Sequence, residues 1–558
     1  MEEEGPSARY RRRLKALQDE VANEGWRSHW KELQDYFLPR KGRYLTDDTS
    51  DHNDGGKRNS KIINGVACDV LRILSAGMQG GVTSPSRPWF RLAILDPRKA
   101  QDEQVKAWLH DSRQVLLDVF QRSNFYGTTH TGYGELATFG TFCMLIEEDF
   151  QNVIRCRPFT SGEYFLGLDS TYRPDSLYRK FVMTVRQMIQ EFGEDKVSDR
   201  VKKFFTEKRL DELIDVIHVI EPSDLTDPSR KDQKYDSVYF EEKETVSLLR
   251  KSGYRMCPFV APRWDVTSTD TWGRGPGMDA LGDVKMLQKM EEKKLKALDK
   301  MVDPPMNAPT AMRRQGVTIV PGGVNYIDGM GAESMRGVTP AFQIQPDFQN
   351  IAYEIDRVEQ RVRRFFFNDL FLTILTKDKT MTATEVAERH EEKLLVLGPV
   401  LERLQGEMLN QIIERTFDIV LNLGLLPPPP EQLQGAALKV EYIGLLSQAQ
   451  KLVGVQGIQQ VVGFAAQLAA ADGGAALEKL NLDVAMEEIA DMHGVNPRVV
   501  RSDDEVAAMR QQRQQQQAAM TAMQTAAAGA KVTKDLSASP MGQGTALDMM
   551  NEQMGGQK

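Results

Sequence analysis

Near the start of the chain, apolar residues recur every three to four positions. Tyr10, Leu14, Leu17 and Val21, then Trp26, Trp30, Leu33 and Phe37, fall on either side of Gly25, a spacing that predicts helix over 8–37. Arg9, Arg11, Arg12, Arg13 and Lys15 share this stretch and read as a solvated helix face, with phosphate contact as the alternative. A polar loop follows over 42–60, then helix over 61–78. The glycines and prolines of GGVTSPSRPWF break the chain, and helix resumes over 102–122.

Between 150 and 260 the period shortens. VIRCRPF, EYFLGLD, SLYRKFVMTV, DVIHVIEP and SVYFEEKETVSLL are rich in β-branched and aromatic residues and are separated by turn residues, so they predict strands. A helix over Val185–Phe192 interrupts them. From Gly273 a helix runs to about Val302, where Asp303-Pro304-Pro305 stops it. Its apolar stripe is Ala280, Val284, Leu287, Leu295, Leu298 and Val302. Its other face carries Lys285, Lys289, Lys293, Lys294, Lys296 and Lys300. GVTIVPGGVNYI, inside the Pro/Gly-rich stretch 304–346, predicts two short strands around a turn.

A second helix is expected from Asp347 to about Leu370 on the stripe Phe348, Ile351, Ile355, Val358, Val362 and Phe365, with Arg357, Arg361 and Arg364 opposite. A hinge follows over Thr373–Thr382. Thr382 and Glu385 form a capping box, which starts a helix running to about Leu423, about 60 Å at 1.5 Å per residue. Gly398-Pro399 predicts a kink in it. Pro427–Pro430 end that unit, LKVEYI reads as a strand, and Ala/Gln-rich helices cover 444–490 and 503–528. The Gly/Ser/Met-rich tail from Gly529 to Lys558 reads as disordered.

Composition narrows the function. The chain has 558 residues, 41% hydrophobic and 27% charged, with a net charge of −8. Its length allows several structural modules, and the acidic balance argues against a protein that wraps nucleic acid tightly. Cys68, Cys143, Cys156 and Cys257 are unevenly spaced, so they read as free thiols in a reducing cytosol. MEEEGPSARYRRRLK has no apolar core, so it is not a signal peptide. No apolar run reaches 18 residues, so no membrane insertion is expected.

The chain lacks the signatures of catalysis. Gly55-Gly56-Lys57 has neither the upstream glycine nor the Ser/Thr of a phosphate-binding loop. Gly273-Arg274-Gly275-Pro276-Gly277 has no preceding βαβ strand and reads as a tight turn into a helix. His390-Glu391-Glu392 lacks the second histidine of a zinc helix, and no serine stands in G-x-S-x-G. Glu147, Glu148 and Asp149 could hold Mg²⁺, but they suit a strand-end turn as well. No cofactor, metal or catalytic residue is assigned, and a structural or conduit role is favoured over an enzyme.

Several segments together resemble the head-to-tail connector, or portal, family of short-tailed double-stranded DNA bacteriophages. They are WRSHWKELQDYFLPRKGRY, TSPSRPWF, FGTFCMLIEED, EYFLGLD, GYRMCPFVAPRW, GRGPGMDALGDVKMLQKM and MTATEVAERHEEKLLVLGPVLERLQGE. Trp272 stands where the family often has Tyr, and IGLLSQAQK replaces a proline-containing segment.

The resemblance implies an α+β, mainly α, portal fold assembled as a closed ring of about twelve copies. The wing would be 1–272 with the long helix 383–430. The stem would be helices 273–303 and 347–372, and the clip 304–346. The tunnel loop would be 373–382, the crown 431–528, and the tail 529–558. Such a ring sits in the virion at the capsid–tail junction, is made in the host cytoplasm, and conducts DNA during packaging and ejection. Its partners would be the major capsid and scaffolding proteins, the terminase ATPase and tail adaptor proteins. DNA-channel residues would be Lys377, Lys379 and Thr380 on the loop and Lys289, Lys293, Lys296 and Lys300 on the stem. Arg313 and Arg314 would dock partners on the clip. The stem lysines could instead pair with Glu291, Glu292 or neighbouring subunits. The rival readings are a packaging ATPase or nuclease and a helical scaffold protein.

Overall fold

The computed structural model describes residues 6–39, 45, 61–96, 99, 102–223, 232–244, 247–307, 339–340, 347–375, 395–433, 438–444, 446–447, 465, 467 and 503–537. Two compact units divide the chain, Met1–Gly463 and Phe464–Lys558.

The first helical stretch is two helices, α1 (Ala8–Asn23) and α2 (Trp26–Phe37). Gly25 separates them at φ +78°, a left-handed conformation that suits glycine. The basic cluster is partly docked rather than solvated. Arg9 pairs with Glu221. Arg11 donates to the carbonyls of Glu241, Glu242 and Glu244 and lies 5.0 Å above the Phe240 ring.

The next helix, α3, spans Val66–Gly81 rather than 61–78. Asn64 precedes it and accepts from the Val66 amide at 3.0 Å. Strand β1 (Phe90–Ile94) begins on the last residue of GGVTSPSRPWF and runs through a stretch for which no element was expected. Helix α4 (Glu103–Arg122) starts on Asp102, whose side chain accepts from two free amides. Helix α5 (Phe125–Phe139) was not expected, because its many glycines, threonines and aromatics blur any single apolar stripe.

The strand region forms two sheets. Strands β2 (Cys143–Asp149), β3 (Val153–Phe159) and β9 (Phe259–Val260) pair in the order β3-β2-β9. A five-stranded antiparallel meander contains β4 (Tyr164–Leu168), β5 (Pro174–Thr184), β6 (Leu213–Pro222), β7 (Tyr235–Glu241) and β8 (Arg250–Tyr254). Helices α6 (Val185–Phe192) and α7 (Asp199–Thr206) connect β5 to β6. They build a separate small core of Val185, Met188, Val201, Val216 and Tyr239.

Helix α8 (Pro276–Val302) starts in the GRGPG turn. The reason for glycine there is backbone proximity. A Cβ on Gly273 would stand 2.2 Å from the Gly140 carbonyl, and one on Gly275 would stand 2.7 Å from that of Ala137. The turn therefore lies flat against the end of α5. Short strands β10 (Met306–Asn307) and β11 (Thr339–Pro340) pair antiparallel. The two strands expected within 316–327 lie outside the described residues.

Helix α9 (Phe348–Phe365) ends with its stripe at Phe365, short of the expected Leu370. Phe367 adopts φ +50°, and α10 (Asn368–Leu375) resumes beyond it, so Thr373–Leu375 are helical rather than part of a hinge. The capping box at Thr382 lies outside the described residues. Helix is present over 395–404 and passes through Pro399. A π turn at Gln405–Leu409 then leads into α11 (Asn410–Asn422). That turn, beyond Gly398-Pro399, is where the helical pattern changes.

Strand β12 (Leu438–Tyr442) pairs antiparallel with β1. In the second unit, α12 runs Asp503–Ser537, past Gly529 where disorder was expected.

Candidate nucleic-acid interface

Helices α8 and α9 pack together, and the reason is legible residue by residue. Leu287, Ile355 and Val358 form a buried cluster. The Arg361 guanidinium closes on Asp283 at 2.9 and 3.2 Å. Buried Gln288 accepts from the amides of Ile63 and Asn64 at 2.7 and 2.8 Å and donates to the Asn64 carbonyl at 2.9 Å. Asn64 also donates to Glu359 at 2.8 Å. The chain entering α3 is thereby tied to both helices.

The apolar stripe of α8 divides in two. Ala280, Val284 and Leu287 are fully buried, whereas Leu295 is 47% and Val302 79% exposed. Helical periodicity cannot separate these halves, because both lie on the same face. In the lower half Leu298 is half-buried, while Leu295 and Val302 stay open.

Opposite that stripe lie Lys289, Lys293, Lys296 and Lys300, all exposed. At 3.6 residues per turn, their Cα positions fall within an arc of about 60° and extend about 16 Å along the axis. Glu292 sits beside them. It pairs with Lys296, and this bond, together with the charges of Lys289 and Lys293, holds its carboxyl below the usual range. Lys294 pairs with Glu291 at 3.3 Å and Lys285 with Glu32 at 2.6 Å, so these two lysines are engaged elsewhere. The alternative of pairing with Glu291 or Glu292 thus holds for Lys294 and Lys296.

An exposed line of ammonium groups spaced about 4.5 to 6 Å along a helix can neutralise phosphates singly, without a pocket that would retain them. The structure brings Lys289, Lys293, Lys296 and Lys300 onto one face of α8. Lys377, Lys379 and Thr380, and Arg313 and Arg314, lie outside the described residues.

Two features near this site had no signal in the sequence. Arg263 is buried and donates to Glu407 at 2.8 and 3.2 Å and to the carbonyls of Tyr172 and Asp270, and its own amide also bonds Glu407. Glu407 lies in the π turn, so this ion pair pins the irregular part of the long helix. The other feature is a groove beside residues 395–404, described further below. The acidic triplet at 147–149 faces arginines: Glu147 pairs with Arg157, Glu148 with Arg415 and Asp149 with Arg155.

The molecule is a modular α+β chain. The sequence matches the family described as "Bacteriophage head to tail connecting protein" over residues 7–500, and the chain belongs to that family of phage portal proteins. It is 40% identical over 492 residues to the "Probable portal protein" of Bordetella phage BPP-1, covering 87% of this chain and 88% of that one. It is 40% identical over 521 residues to the "Portal protein" of Salmonella phage epsilon15, covering 92% and 93% respectively. Among solved structures, the neck of an empty GTA particle aligns with 74% of this chain and 86% of its own. Its TM-score of 0.33 and identity of 11% are too low to carry an argument. No helix among the described residues is long and apolar enough to cross a membrane.

Proposed function

We propose that copies of this chain close into a ring of about twelve at one capsid vertex, with double-stranded DNA passing through the centre. The observation that carries this reading is the two-sided stem. One side of α8 keeps Leu295 and Val302 uncovered, ready for a neighbouring copy, and the opposite side presents Lys289, Lys293, Lys296 and Lys300. A ring needs both a lateral contact surface and a central one.

In this reading the wing is 1–272 with 383–430, the stem 273–303 and 347–372, and the clip 304–346. The tunnel loop is 373–382 with Lys377, Lys379 and Thr380. The crown is 431–528 and the tail 529–558. Arg313 and Arg314 on the clip serve docking of the terminase ATPase and tail adaptors. The major capsid and scaffolding proteins meet the ring at the vertex, after synthesis in the host cytoplasm. The chain itself performs no catalysis. Net charge supports sliding rather than adhesion: about twelve copies at −8 each sum to about −96, which leaves the lysine stripes as local exceptions.

Negative-stain microscopy of the purified full chain tests the ring directly. Closed rings with a central hole are expected, and monomers or fibres at every concentration would refute it. ATP hydrolysis by rings free of terminase would favour the packaging-enzyme reading instead.

A further inference from the structure

A groove of 720 Å³ lies where α8 begins, α9 ends and the helix over 395–404 passes. Phe365, Val396 and Pro399 supply apolar surface, and Arg361, Arg364 and Arg403 supply three guanidinium groups. Asp265 and Asp279 also line it. Asp265 stands 3.9 Å from Arg403, and Arg361 is held by Asp283. Val396 is 66% exposed and its neighbour Leu395 58%. Apolar side chains this open around a concave surface mark a contact site.

The same chain carries a projecting counterpart. The β2–β3 hairpin turns through Asp149–Asn152, and Phe150 at its tip is 109% exposed, the most exposed large apolar side chain among the described residues. This presentation is built rather than incidental. Asp149 accepts from the Gln151 amide at 3.2 Å and pairs with Arg155 at 3.1 Å, which fixes the turn. Val153 closes it at φ +70°, a costly conformation for a β-branched residue. Asp149 is taken up by Arg155, but Glu148 remains 64% exposed at 3.7 Å from Arg415, so the apolar tip carries one open carboxylate. In the groove Arg361 and Arg403 face Asp283 and Asp265, and Arg364 has no ion pair among the described residues.

The tip cannot reach the groove of its own copy. Glu148 stands 3.7 Å from Arg415, and Arg415 is about 18 Å along the helix from Arg403. We infer that Phe150 of one copy inserts into this groove on an adjacent copy. That is a heterologous contact between two different faces, the kind that closes a ring. The inference rests on the ring reading above.

The test uses the full chain with Phe150→Cys and Val396→Cys combined, and with each alone. Mild oxidation of assembled rings should give a ladder of disulfide-linked copies on a non-reducing gel for the double variant only. Phe150→Ala should keep the melting temperature of the protomer, because the ring touches nothing in its own chain. It should raise the concentration needed for ring assembly about tenfold or more. Rings that form at the wild-type concentration with Phe150→Ala, with no ladder from the double variant, would overturn the contact while leaving the ring intact. Cross-linking of Phe150→Cys to a different virion protein would overturn it also. Absence of rings in the wild type would instead defeat the ring reading itself.

Discussion

Replacing Lys289, Lys293, Lys296 and Lys300 together by glutamine removes the charge stripe of α8 and keeps its length and helix propensity. All four are exposed, so the fold should tolerate the change. The stripe extends about 16 Å, and duplex DNA carries one phosphate per about 1.7 Å of axis. About ten phosphates therefore lie alongside it, but four ammonium groups neutralise at most four of them, which bounds the salt slope contributed by each stripe near about −3.6. Each phosphate neutralised changes retention by about 3.5-fold between 50 and 200 mM salt. The assay is retention of a fluorescent duplex threaded in purified rings, followed against salt. The glutamine variant should show a markedly shallower slope. Glu292→Gln should steepen it, because Lys296 loses its partner and Lys289 and Lys293 lose the neighbouring negative charge. Equal slopes in all three proteins would refute the claim that the stripe touches DNA. A glutamine variant that loses retention at every salt concentration equally would refute the electrostatic mechanism.

Arg263→Ala removes the guanidinium from two carbonyls and from Glu407, which keeps only the amide of residue 263, and should destabilise the chain by about 3 to 5 kcal/mol, read as a lower urea midpoint. Gly77→Ala would set a Cβ 2.2 Å from the Phe371 ring, forcing α10 off α3. A loss of about 1 to 3 kcal/mol is expected, read as a lower urea midpoint, and Phe371→Leu should not relieve it, because leucine keeps the Cβ and Cγ that would stand 2.6 and 2.5 Å from the new atom. His218 is buried, stacked 3.8 Å from Tyr239 and bonded to Ser237 at 3.0 Å. Desolvation, with Arg179, Arg250 and Arg157 adding to it, holds its pKa well below the ordinary value. The unfolded chain therefore binds the extra proton first. Stability should fall as pH drops below about 6.5, at up to about 1.4 kcal/mol per pH unit. His218→Gln should flatten that limb in denaturant titrations run across the range, and an unchanged limb would exclude His218 as its source.

Much of the architecture is legible along the chain because local periodicity and turn chemistry act over a few residues. Four of the five meander strands (β8 was not foreseen), the Val185–Phe192 helix, the start of α8 at GRGPG and the proline stop after Val302 all follow from that. So do the four stem lysines as one face, since 3.6 residues per turn places them together whatever surrounds the helix. What depends on distant partners is decided only by the tertiary structure. Strand β1 is recognisable through β12, whose Glu441 meets Arg91 across 350 positions. The Arg263–Glu407 pair joins residues 144 apart. The apolar stripe of α8 is broken only by Glu291, yet Ala280, Val284 and Leu287 are buried while Leu295 and Val302 stay open. Burial depends on what else arrives at a face, and periodicity records only that the face is apolar.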